Sequence, residues 1–226
     1  ETSPMNPWIA VALALTLVAP PKPGKHEQWD AEIAKLEAKA AKRPDLHGGV
    51  VFTGSSSIKN WKTLSKDFNG IPVINMGFGG SELADAVVYI DRLTLQYKPR
   101  VVVLYSGEND INAKVPVQRV FEDLKQFITL VHKSDPATRI IVVSLKPSPS
   151  REKHLDKVRE YNRLAADYIK GIRNVEFADI FTPMMTSDGK FRDELYVSDR
   201  LHMTPVGYAM WTEILYPMVK KAILQR

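Results

Sequence analysis

Cysteine is absent from all 226 residues, which excludes disulfides, thiolate metal sites and a thiol nucleophile, and leaves serine as the first choice for covalent catalysis. A cationic stripe is missing too. The 31 Lys and Arg are dispersed among 26 Asp and Glu, so the formal charge of +5 draws no footprint for nucleic acid, and no nucleic-acid recognition motif occurs. Long apolar runs are equally scarce: Trp8 to Val18 is almost wholly apolar but too short to span a bilayer. It is followed by Ala19 and the breaker run Pro20-Pro21-Lys22-Pro23-Gly24. A run of this length suits the apolar region of a secretory signal, which predicts export to the periplasm or medium over a cytoplasmic location. The other reading is an apolar arm that docks on the domain or on a second copy, giving a homo-oligomer. With 44% hydrophobic residues and no internal repeat, the chain divides into an apolar segment, residues 1–24, and one domain, residues 25–226.

Past the proline break, Trp29, Ile33, Leu36 and Ala40 fall at helical spacing and predict an amphipathic lead-in helix. Short apolar runs then recur: Val50-Val51-Phe52 ending at Gly54, Val73-Ile74-Asn75 ending in Gly77, Gly79 and Gly80, Val101 to Tyr105 ending at Ser106-Gly107, Ile140 to Val143, and Val175-Glu176-Phe177. Between them lie helical faces such as Val117, Val120, Phe121, Leu124, Phe127, Ile128 and Val131, and Leu155, Val158, Tyr161, Ala165, Tyr168 and Ile169. Strands apolar on both faces alternating with amphipathic helices predict an α/β fold: a three-layer α/β/α sandwich on a flavodoxin-like, five-stranded parallel sheet of order 2-1-3-4-5. Ligands of such sheets bind beyond the carboxyl ends of the strands, where the polar motifs of this chain cluster.

Ser56, in Gly54-Ser55-Ser56-Ser57, falls at the turn from the first strand into a short helix, where its own amide is an unpaired N-terminal donor. The same stretch also reads as a simple helix cap. Gly80 follows the second strand in a glycine cluster that also reads as a tight turn before a helix capped by Ser81, with Glu82 and Asp85 in its first turn. The lysine of a phosphate-binding loop is missing there. Asn109 follows the third strand in Ser106-Gly107-Glu108-Asn109-Asp110, and its amide can donate to a carbonyl oxygen that becomes charged. Glu108 and Asp110, with no histidine nearby, make a weak metal site; Asp110 reads as a turn or capping residue, and no metal is expected. Asp199 and His202 lie three apart on a loop before a helix that Thr204 caps and Pro205 opens. The other histidines, His26, His47, His132 and His154, read as structural or surface residues.

Together these blocks resemble the SGNH hydrolase family, also called GDSL-type esterases, over roughly residues 48–225. The resemblance implies Ser56 as nucleophile, Asp199 and His202 as its acid and base, and Ser56, Gly80 and Asn109 as the oxyanion hole. Ser55 replaces the usual aspartate of the motif. The resemblance places a tryptophan seven positions after the motif glycine, which Trp61 satisfies from Gly54 and which ranks Ser56 above Ser55 and Ser57 for the nucleophile slot. The expected chemistry is cofactor-free hydrolysis of a short acyl ester of a carbohydrate or small molecule. Lysophospholipid or thioester hydrolysis, or silent binding of an acylated sugar, are the alternatives. Phe78, Tyr105 and the segment Leu145-Lys146-Pro147-Ser148-Pro149 are expected to wall the substrate pocket.

Overall fold

Each apolar run bounded by glycine or a polar turn becomes a strand, Val50–Gly54 and Val101–Tyr105 buried throughout and the edge strand Val175–Ala178 only in part, and each 3.6-period stretch becomes a helix laid across the sheet. The computed structural model describes residues 26–225. The expected export signal or docking arm, residues 1–24, lies outside the described residues. Helix α1 (Asp30–Ala40) leads into β1 (Val50–Gly54), two short helices α2 (Ser56–Lys59) and α3 (Leu64–Asp67), and β2 (Val73–Gly77). There follow α4 (Leu83–Val88), α5 (Ile90–Leu93), β3 (Val101–Tyr105), α6 (Glu108–Asn112), α7 (Val117–Ser134) and β4 (Arg139–Val143). Helix α8 (Leu155–Ile169), β5 (Val175–Ala178) and α9 (Pro205–Leu224) complete the domain.

The five strands are parallel and ordered β2-β1-β3-β4-β5, the order expected from the sequence. Because successive strand residues point to opposite faces, β1 feeds two cores. Val51 joins Ile33 of α1, Ile74, Met76, Phe78, Tyr89 and Leu93 on one side. Val50 and Phe52 face Trp61, Phe68, Tyr208 and Trp211 on the other. Chain direction across the sheet reverses between β1 and β3, so the turns after these two strands open side by side at one rim.

Trp61 locks the last helix to the first turn. It is 1% exposed, stacks on Tyr208 of α9 at 5.1 Å, meets Phe52, Phe68 and Trp211 edge-on, and donates through Nε1 to Asp67 Oδ2 at 2.7 Å. Tyr208 also donates its hydroxyl to the Ser57 carbonyl at 2.9 Å. The loop carrying His202 immediately precedes α9, so this one aromatic cluster carries it up to α2.

Candidate active site

The turn after β1 is tight enough to dictate its residues. Gly54 has φ +129°, and a Cβ there would fall 1.9 Å from the Tyr105 carbonyl oxygen, so only glycine fits. Ser55 N–H then donates to that same carbonyl at 3.0 Å and the chain enters α2 with Ser56 as its first residue. The Ser56 amide therefore has no carbonyl within its own helix to bond, and it points out of the positive end of that turn.

Ser56 Oγ lies 3.0 Å from His202 Nε2, and His202 Nδ1 lies 2.6 Å from Asp199 Oδ2. A compact turn with Arg200 at φ +55° folds Asp199 back so that its Oδ1 also accepts the amides of Leu201 at 2.9 Å and His202 at 2.8 Å. Desolvation pushes the Asp199 carboxyl up, but the hydrogen bonds from the His202 ring and from these amides outweigh it and hold it down at about 2. The carboxylate is thus ionised and can only accept, which places the imidazole proton on Nδ1 and leaves the Nε2 lone pair facing the Ser56 hydroxyl. Thr204 caps α9 as expected, accepting from Gly207 N–H at 3.2 Å.

Gly80 sits exposed at the same rim with φ +78°, beneath the edge of Trp29. Asn109 lies on the first turn of α6; its Nδ2 donates to the Ser81 carbonyl at 2.9 Å and its Oδ1 accepts from Arg151 Nη2 at 2.9 Å. An amide nitrogen has two hydrogens, so one N–H of Asn109 remains after the Ser81 bond.

Two expected wall residues are elsewhere. Phe78 is 0% exposed, packed edge-on against Trp29 and Tyr89 in the core beside α1, and Tyr105 is 0% exposed against Trp211. Phe78 follows β2 directly and Tyr105 ends β3, and the helices packed on the two faces of the sheet turn both rings inward. The segment 145–149 is buried throughout for the same reason. Ser81 is not the cap of α4: Glu82 takes that position in a reciprocal capping box with Asp85, while the Ser81 hydroxyl donates to the Phe78 carbonyl at 2.9 Å. Asp110 caps α4 from across the rim, with both carboxylate oxygens 3.0 Å from Leu83 N–H. His26 holds Asp85 at 2.5 Å, and His132 bonds the Thr138 carbonyl at 3.2 Å.

A buried ionic cluster behind Asn109 is legible only in three dimensions. Glu108 takes the Lys146 ammonium, the Ser148 hydroxyl and the Tyr105 hydroxyl, and Arg151 Nη1 approaches its Oε1 at 3.5 Å. Desolvation works against ionising Glu108, but Lys146 and Arg151 prevail and hold its carboxyl below the usual range. Burial depresses the Lys146 ammonium, and Glu108 opposes that. The one signal in the sequence was an acid and a lysine each placed just past the end of a central strand. Among the described residues no group of three or more His, Asp or Glu side chains is placed to hold a metal, and no helix is long and apolar enough to cross a membrane. A recess of about 290 Å³ between α1, α2, α3 and the edge strand β2 is lined by Leu36, Arg43, Lys59, Trp61 and Ile74, away from the Ser56 hydroxyl.

A doubly wound parallel sheet with a serine–imidazole–carboxylate relay at its carboxyl rim defines an α/β protein of hydrolase architecture. The chain belongs to the GDSL-like lipase/acylhydrolase family, whose model matches residues 47–210. It is similar to the platelet-activating factor acetylhydrolase IB subunit alpha1 of Rattus norvegicus, 26% identical over 219 residues, covering 91% of this chain and 90% of the relative. It is also similar to the isoamyl acetate-hydrolyzing esterase 1 homolog of Rattus norvegicus, 24% identical over 206 residues, covering 79% and 81%. In fold it matches the crystal structure of a GDSL-like lipase from Bacteroides thetaiotaomicron with a TM-score of 0.68 at 22% identity, over 88% of this chain and 98% of that one.

Proposed function

We propose that the protein is a serine esterase that hydrolyses short-chain, acetyl-type esters of carbohydrates or small molecules through an acyl-enzyme. The relay Ser56 Oγ–His202 Nε2 at 3.0 Å, with Nδ1 bound to an ionised Asp199, carries this reading. In the first step His202 Nε2 takes the Ser56 proton as Oγ bonds to the ester carbonyl carbon. The negative charge that builds on the carbonyl oxygen is met by Ser56 N–H, Gly80 N–H and the remaining Asn109 Nδ2–H. The imidazolium then protonates the departing alkoxide, and the C–O bond to the alcohol breaks. Water repeats the attack with His202 as base, releasing the acid and restoring the Ser56 hydroxyl. Asp199 holds the ring and its cation throughout without taking the proton.

The acetyl preference is supported by the two relatives named for acetyl-ester hydrolysis. The test is hydrolysis of p-nitrophenyl esters of increasing acyl length, comparing the native chain with Ser56→Ala. We expect the acetate to be cleaved fastest and the variant to lose at least about 10³-fold in kcat. Equal rates in the two chains would remove Ser56 from the mechanism; a preference for long chains or for lysophospholipid would replace the substrate class alone.

A further inference from the structure

Asn109 contributes to an oxyanion site only if its amide presents nitrogen, not oxygen, to the reacting carbonyl. Nitrogen and oxygen are nearly the same size, and rotation by half a turn about the last side-chain bond exchanges a donor for a repelling acceptor. Two contacts oppose that rotation. The Ser81 carbonyl accepts from Nδ2 at 2.9 Å, and the Arg151 guanidinium donates to Oδ1 at 2.9 Å. Arg151 is itself held: its side chain is 15% exposed, and its Nη1 faces Glu108 Oε1 at 3.5 Å, the residue next to Asn109 on α6. Glu108 has its other partners in Lys146, Ser148 and Tyr105, all buried, so the anchor cannot swing to solvent.

The placement of charge points the same way. Glu108 is shared between the Lys146 ammonium, on which the ionised Asp199 also acts, and the Arg151 guanidinium, and it is the guanidinium that touches the oxygen end of the Asn109 amide. A cation at Oδ1 draws electrons from the amide and makes its N–H a stronger donor. Resting on the esterase reading above, we propose that Arg151 is a positioning residue of the oxyanion site: it fixes and polarises the Asn109 amide so that Nδ2–H meets the developing oxyanion.

Arg151 also lies in a kinked 3-10 stretch, Pro149–His154, that reaches the other half of the site, since Ser150 N–H donates to the Arg200 carbonyl at 3.1 Å. A purely structural role through the His202 loop must therefore be separated from a role through Asn109. The experiment is a double-mutant cycle of Arg151→Gln and Asn109→Ala, read by kcat and KM for p-nitrophenyl acetate and by inhibition with phenylboronic acid, which forms a tetrahedral anion on serine. Arg151→Gln should lower kcat by about 10- to 100-fold, change KM by less than about twofold and weaken the boronate by the kcat factor, with no further loss in the Asn109→Ala chain. Arg151→Lys, which keeps the charge without the planar donor pair, should recover part of the rate; should Arg151→Gln fail to fold, Arg151→Lys carries the same comparison. An unchanged kcat, a loss confined to KM, or an equal loss in the Asn109→Ala chain would overturn the assignment. If Ser56→Ala is as active as the native chain, the esterase reading falls and takes this one with it. If Ser56→Ala is inactive and Asn109→Ala slow while Arg151→Gln keeps the native kcat, the assignment to Arg151 alone falls.

Discussion

Asp110 stands next to Asn109 yet faces the core, where burial pushes its carboxyl up to about 7 even though Leu83 N–H pulls the other way. The unfolded chain has no such burial, so between pH 4 and 7 it gives up a proton that the folded state keeps. Stability falls with rising pH wherever the native state holds more protons. The contribution of Asp110 is therefore fully present below the ordinary aspartate range and is lost as pH rises through about 7. Asp110→Asn keeps an acceptor for Leu83 and removes the titration. Its Tm should decline less than that of the native chain between pH 5 and pH 8, as differential scanning calorimetry in matched buffers would record; parallel curves would mean that Asp110 is ionised throughout. At this scale the sequence is a partial guide. Ser56, Asp199 and His202 stand out as polar residues at strand ends and before a capped helix, but Phe78 and Tyr105 occupy equally prominent strand ends and turn inward. Which way a rim side chain faces depends on the helices covering it, and those come from distant parts of the chain.

Among the elements, α9 decides whether the relay assembles, because the His202 loop has no strand of its own beneath it. The helix is docked by Trp61 stacking on Tyr208 at 5.1 Å and by the Tyr208 hydroxyl on the Ser57 carbonyl at 2.9 Å. Tyr208→Phe leaves the ring and deletes the bond, so it should cost about 0.5–1.5 kcal/mol in urea unfolding. On the esterase proposal it should also slow ester cleavage with little change in KM, because the loosened bond joins the elements bearing the proposed base, His202, and the proposed nucleophile, Ser56. A full stability loss with native kcat would show that ring stacking alone sets the register. Elements were legible where local physics decides them: β1, β3 and β4 as apolar runs, α7 and α8 by periodicity, and the α9 start by Thr204 and Pro205. The α4 start was not. Ser81 and Glu82 are neighbouring residues that can each accept at a helix N-terminus, and the choice rests on Asp110, twenty-seven residues from Leu83, and on His26, fifty-nine from Asp85.

For the molecule as a whole, the cluster around Glu108 is where the stability of the fold and the geometry of the rim meet. It joins the ends of β3 and β4 through Glu108 and Lys146, and it reaches the stretch before α8 through Ser148 and Arg151. Tyr196 adds the far side of the rim by donating to the Pro147 carbonyl at 2.8 Å. No local pattern announces such a pair, since an acid and a lysine thirty-eight positions apart each read as surface residues until the sheet brings them together. Removing one partner of a buried pair strands the other charge, which typically costs about 3–5 kcal/mol, whereas replacing both with matched neutral side chains is often close to neutral. Lys146→Met should therefore destabilise the chain by that order, Glu108→Gln by a comparable amount because it strands Lys146, and the double variant should recover most of the loss in urea titrations. Arg151 makes the arms unequal: in Lys146→Met it remains as a partner for Glu108 at 3.5 Å, so that loss should be the smaller, whereas Glu108→Gln and the double variant both leave the Arg151 guanidinium, 15% exposed, without its carboxylate. Additive losses in the double variant would show that Glu108 and Lys146 stabilise the sheet ends independently, and that the cluster is packing around two separately satisfied charges instead of one cooperative unit.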